Sequence, residues 1–135
     1  MTTTTVGQRG ETLAARYLEQ NGYHILHRNY RHAHQELDLV ATDGVSVIFC
    51  EVKTRGQSPA RPSPYGRPSS AVTAEKRRNL SLAARAYIKE FPQPGMRLRF
   101  DIIEVYLLPG SSGASPTDVL KIHHIRNAFT ITPLY

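Results

Sequence analysis

Cysteine occurs once in this chain of 135 residues, so no internal disulfide can form. Cys50 follows Val47, Ile48 and Phe49, an apolar setting that marks a small core residue rather than a nucleophile. No apolar run approaches the roughly 18 residues that a membrane span requires. Residues 1–6 are Thr-rich and carry no apolar stretch, so they read as a flexible start and not as a secretory signal. A cytoplasmic protein with no membrane partner is the expectation. The six histidines (His24, His27, His32, His34, His123 and His124) have no zinc-ligand spacing with cysteine. No phosphate-cradling glycine loop and no Ser-His-Asp set is legible. Acidic side chains are the minority, 11 against 17 Lys and Arg, and the net charge is +6. That balance suits a polyanionic partner, because phosphates attract these cations and release counterions on binding.

Hydrophobic residues make up 40% and charged residues 21%, the composition of an ordinary globular protein. The length fits one domain over residues 1–135. Residues 8–21 read as a helix, with Ala14, Tyr17 and Leu18 in stripe and Gly22 as the stop. Residues 23–30, 36–42 and 45–55 read as strands. Residues 56–70 are rich in Pro, Ser and Arg and read as a mobile loop. Thr73 is placed to cap a second helix over residues 74–90, which buries Leu80, Ala84, Tyr87 and Ile88. Residues 98–107 and 119–124 complete the strands. The order is helix, three strands, helix, two strands, which predicts an α/β fold with a mixed sheet flanked by helices.

The chemistry gathers on the hairpin around Asp43-Gly44. Strand alternation puts Glu36, Asp38 and Val40 on one face, and Glu51, Lys53 and Arg55 on one face of the next strand. A two-residue turn at Asp43-Gly44 sets Thr42 opposite Val45, Asp38 opposite Phe49, and Glu36 opposite Glu51. Glu36, Asp38, Glu51 and Lys53 then converge. Like charges facing each other destabilise a sheet and raise one another's pKa unless a cation lies between them. Mg²⁺ or Mn²⁺ fits that need, and Lys53 can orient a water or stabilise a phosphate. Surface salt bridging is the competing reading. The apolar run through Val47, Ile48, Phe49 and Cys50 reads as a buried central strand, which sets these charges apart from solvated decoration.

Glu11 lies near Ala14 and Leu18 in helical phase, so it either joins this site or serves as a first-turn carboxylate favoured by the helix dipole. Lys76, in the first turn of the second helix, either aims at a phosphate or snorkels. Arg55, Arg61, Arg67, Arg77 and Arg78 are candidate backbone contacts, and Tyr65 could stack on a base. His32 and His34 stand close before Glu36.

Asp38 followed by Glu51-Val52-Lys53 resembles the PD-(D/E)xK signature of restriction-endonuclease-like nucleases. Arg9-Gly10-Glu11, Gly22-Tyr23, Arg28-Asn29-Tyr30, Glu36-Leu37-Asp38-Leu39-Val40, Phe49 to Arg55, Lys76-Arg77 and Arg99-Phe100-Asp101 resemble the YraN family of bacterial nuclease-like proteins. The resemblance runs over residues 7–129. It implies a restriction-endonuclease-like sheet similar to that of Holliday-junction resolvases. It also implies that Asp38 and Glu51 bind Mg²⁺, that Lys53 assists hydrolysis and that Glu11 joins the ligands. Nuclease action on DNA, including branched DNA, follows as an expectation, with a non-catalytic nucleic-acid-binding module as the alternative. A homodimer is expected by analogy, since a two-fold substrate suits a two-fold enzyme. Two positions depart from the family pattern: Gln35 stands where Gly is usual, and Cys50 where Val is usual.

Overall fold

Thr5 opens the first helix. Its hydroxyl accepts the Gln8 N–H and the Gln8 side chain returns to the Thr5 N–H, so two orphan donors are satisfied reciprocally. The computed structural model describes residues 5–55 and 73–130. Helix α1 spans Val6–Gln20, and Gly22, at φ +87°, releases the chain into the sheet. Strands β1 (His24–His32), β2 (Gln35–Thr42) and β3 (Ser46–Arg55) follow. Thr73 caps α2, Ala74–Glu90, by accepting the Lys76 N–H. Strands β4 (Arg97–Leu107) and β5 (Val119–Phe129) close the chain, with a single 3-10 turn at Pro116–Asp118 between them.

The five strands form one sheet in the order β1-β2-β3-β4-β5. Only β3 and β4 run parallel, and the connection between them passes through α2. Each helix covers one face. Leu13, Ala14 and Leu18 of α1 pack with Leu39, Ala41, Ile48, Cys50 and Ile103. Leu80, Ala84 and Tyr87 of α2 pack with Leu37, Val40, Phe49 and Phe100. Residues Val47–Cys50 are buried on both faces, as the apolar run predicted.

Three expectations change. The hairpin is not a two-residue turn. Asp43 Oδ1 accepts the N–H groups of Val45 and Ser46, at 2.9 and 2.8 Å, and this wraps a wider loop. Thr42 therefore pairs with Val47, and Val40 with Phe49. The register moves by two residues, an even step, so each strand keeps its face. Second, the final strand runs on to Phe129 instead of ending at residue 124. Phe129 stacks on Phe100 at 4.5 Å between ring centroids, so this part of the tail packs on its own core. Third, Asp38 and Val40 do not share a face. Leu37 and Val40 both belong to the α2-side core while Leu39 and Ala41 belong to the α1 side, so alternation breaks at Asp38. The candidate loop over residues 56–70, with Tyr65, Arg61 and Arg67, lies outside the described residues.

Candidate active site at the β2–β3 fork

The break in alternation has a partner in β1. Arg28 pairs with Leu39 and Tyr30 with Leu37, which sets Asn29 across from Asp38. Asn29 sits at φ +54°, a left-handed conformation that asparagine tolerates better than most residues. On the other side, the β2–β3 ladder runs from Thr42↔Val47 to Leu39↔Cys50, although both strands continue beyond it. The strands fork there. The Asp38 carboxylate fills the fork, and its Oδ2 accepts the Val52 N–H at 2.8 Å.

Helix α1 brings Glu11 to the same place. Gly10 makes this approach possible, because a Cβ there would overlap Thr54 Oγ1 of β3. Glu11, Glu36 and Asp38 each present an oxygen within 4.8 Å of the others. Glu11 is buried, 8% exposed. The Asn29 amide nitrogen, turned towards the acids, donates to Glu36 Oε1 at 2.7 Å and to Glu11 Oε1 at 2.9 Å. Arg31 holds the other Glu36 oxygen at 3.0 Å.

This crowding shifts the titrations. Burial pushes the Asp38 carboxyl up to about 7; the Val52 N–H opposes it, and the charges of Glu51, Glu11 and Glu36 add to it. Glu11 is raised as well, by burial and then by Glu36, with Arg28 opposing. Three converging carboxylate oxygens, those of Glu11 and Asp38 on groups that resist losing their protons, are hard ligands of the kind a divalent cation takes.

Glu51 lies outside that tight trio but near enough to act on Asp38. Its Oε1 is 3.1 Å from Lys53 Nζ. Alternation from Phe49 puts Glu51 and Lys53 towards the α2 side, whereas Cys50 and Val52 pack with α1. The predicted five residues thus split into a trio and an ion pair that flank the fork. Cys50 is 2% exposed, and burial raises its thiol, so it is a core side chain as expected.

The cations predicted for a nucleic-acid backbone are more dispersed. Arg55 Nε lies 3.7 Å from Glu104 Oε2. The Arg77 guanidinium stands over the Phe129 ring at 5.9 Å. Lys76 is half-buried in the first turn of α2. His32 and His34 line a small cleft with Asn79 and Leu82. Sequence reasoning assigned no role to Asn29, although it stands in the motif Arg28-Asn29-Tyr30. It likewise gave none to Asp101, which is wholly buried and takes two bonds from Arg99, one from the Asn127 N–H and one to His124 Nε2 at 2.7 Å. His124 reaches on to the Tyr17 hydroxyl at 3.0 Å.

A five-stranded mixed sheet between two helices, with an acidic cluster where two strands part, makes this a mixed α/β protein. The chain belongs to the family described as Uncharacterised protein family UPF0102, whose model matches residues 10–105. This is the YraN family that its motifs resemble. It is similar to a UPF0102 protein of Chlorobium phaeobacteroides (strain BS1), 39% identical over 92% of this chain and 93% of the relative. A UPF0102 protein of Geobacter sulfurreducens is 43% identical, over 93% of this chain and 89% of its own. One from Rhodococcus opacus (strain B4) is 39% identical over 92% and 95%. No helix among the described residues is long and apolar enough to cross a membrane.

Proposed function

We propose that this protein is a restriction-endonuclease-like nuclease that hydrolyses phosphodiester bonds in DNA with a divalent cation, Mg²⁺ or Mn²⁺. The observation that carries the reading is the meeting of Glu11, Glu36 and Asp38 at the fork, with the Glu51–Lys53 pair beside them. The donor set fits a hard cation: Glu11, Glu36 and Asp38 would hold it, with Glu51 adjoining. Bound there, such a cation would supply Lewis-acid polarisation of a phosphate oxygen and a lowered pKa for a bound water. The remaining work falls to the chain. Lys53 Nζ, kept in place by Glu51, donates to an incoming water or to a non-bridging phosphate oxygen where negative charge develops. Asn29 holds Glu11 and Glu36 in position between turnovers.

The test is cleavage of linear, flapped and four-way DNA with Mg²⁺ or Mn²⁺ by the wild type, Asp38→Ala and Lys53→Ala proteins. Loss of one transition-state donor costs about 10²–10³ in rate, so Lys53→Ala is expected to fall by that much. A wild type that cuts no more than either variant refutes the enzymatic reading. DNA affinity without cutting would instead favour a non-catalytic nucleic-acid-binding module.

A further inference from the structure

A cleft lies away from the fork, over the outer side of α1. It has a volume of about 650 Å³ and is lined by Arg9, Thr12, Arg16, Glu19, Arg28 and Gly113, among others. Helix α1 forms its floor and the connection between β4 and β5 forms a wall. Arg9 Nη1 donates to the Ser112 carbonyl at 3.1 Å and ties that wall to α1, and a Cβ at Gly113 would crowd Leu107 and meet Arg9 Cβ. Arg28 projects from β1 and donates to Thr12 Oγ1 at 2.9 Å. It also acts on Glu11, so it stands between the cleft and the acidic cluster.

The lining carries three guanidiniums against one carboxylate, Glu19. None of the three arginines forms an ion pair among the described residues. Each guanidinium has five N–H donors, and the contacts to Ser112 and Thr12 leave most of them unused. Arg9 and Arg16 are seven residues apart, so they share one side of the helix about 10 Å apart along its axis. Among the described residues no aromatic side chain lines the cleft, so they offer no platform for base stacking. Contacts of this kind position a backbone without reading its sequence.

We propose that this cleft holds the phosphodiester backbone of the DNA strand that leads away from the acidic cluster, with Arg28 at the junction and Arg9 and Arg16 beyond it. The substrate class rests on the nuclease reading; the binding test does not require cutting.

The experiment measures binding of labelled single-stranded and duplex DNA by the full chain in EDTA, by fluorescence anisotropy over a salt series. Each lost phosphate contact lowers the salt slope by about 1. Arg9→Gln with Arg16→Gln is therefore expected to lower it by about 2, on any sequence. Arg9→Lys with Arg16→Lys should keep most of it. Lys89→Gln, the loss of one charge at the end of α2 and so the match to Arg16→Gln alone, should leave it unchanged. If the double variant fails to fold, Arg16→Gln alone, at an exposed position, is expected to lower the slope by about 1. An unchanged slope in the arginine variants, an equal drop in Lys89→Gln, or a wild type that binds no DNA overturns the proposal. Cutting by the wild type with arginine-independent binding would refute the cleft and leave the nuclease standing. Arginine-dependent binding with no cutting would do the reverse.

Discussion

Asp38 Oδ2 accepts the Val52 N–H at 2.8 Å, so a side chain occupies the place in the sheet where a strand carbonyl would pair. This one bond keeps β2 and β3 together past the end of their ladder and aims a carboxylate at Glu11 and Glu36. It also creates a cost, because Asp38 must carry charge among three other acids.

Relief of that cost should be measurable as heat stability. Without a divalent cation at pH 8, Asp38→Asn is expected to melt several degrees above the wild type, since the amide oxygen still accepts the Val52 N–H. Mn²⁺ should raise the wild-type Tm by mass action, with a gain in stability of about 2.7 kcal/mol at a hundredfold excess over Kd. Asp38→Asn should lose that response. A wild-type Tm indifferent to Mn²⁺ would remove the cation from the site.

Asn29→Gly separates backbone from side chain. Glycine adopts φ +54° without strain, so the substitution removes only the amide that donates to Glu11 and Glu36. Cation-free stability is expected to fall by about 1–3 kcal/mol, through two lost bonds to charged groups. Saturating Mn²⁺ should recover part of the loss. Equal losses with and without Mn²⁺, in denaturant melts, would mean that Asn29 matters only to the fold.

Gly10→Ala should push α1 off β3, because the new Cβ overlaps Thr54 Oγ1. Overpacking of this kind costs about 1–3 kcal/mol, partly offset by the better helix propensity of alanine. The displacement moves Glu11, so the Mn²⁺-induced rise in Tm should shrink as well. A variant with wild-type Tm and wild-type Mn²⁺ response would show that the close approach is dispensable.

Asp101 supplies the pH dependence. Burial raises its carboxyl, but bonds from His124, Arg99 and the Asn127 N–H outweigh that, and the net shift is downward. The native state therefore holds the proton less tightly than the unfolded chain. The resulting stability is present above the ordinary carboxylate range and is lost as pH falls through the lowered native value. Asp101→Asn is expected to cost about 3 kcal/mol near pH 7, and the gap from wild type should hold down to about pH 5 and narrow below it towards pH 3. A gap of constant size over that range would contradict this account.

Much of this protein is legible in its sequence because the relevant signals are local. Gly22 and Thr73 mark helix ends through backbone freedom and a hydrogen bond that involve only their neighbours, whereas Thr5, read as part of a flexible start, caps α1. The apolar run Val47–Cys50 marks a strand buried on both faces. Helical phase turned Glu11 inward, and it is buried beside Glu36 and Asp38. Glu51 and Lys53 keep the side of Phe49 despite a register error of two, since the side-chain period of a strand is two, but Asp38 leaves the face it was expected to share with them.

Only the tertiary structure decided how those residues meet. Regular alternation gives no hint that Asn29 and Asp38 break it together, because a left-handed residue in one strand and a fork in the next are set by cross-strand partners. The burial of Asp101 between Arg99 and His124 depends on β5 running eleven residues beside β4, which no single segment encodes. The sequence by itself determined which acids and which lysine this protein has to work with. Long-range packing decided that three of the acids converge at a fork while Glu51 and Lys53 pair beside it, because the distance between side chains on different elements is set by how helices and strands stack.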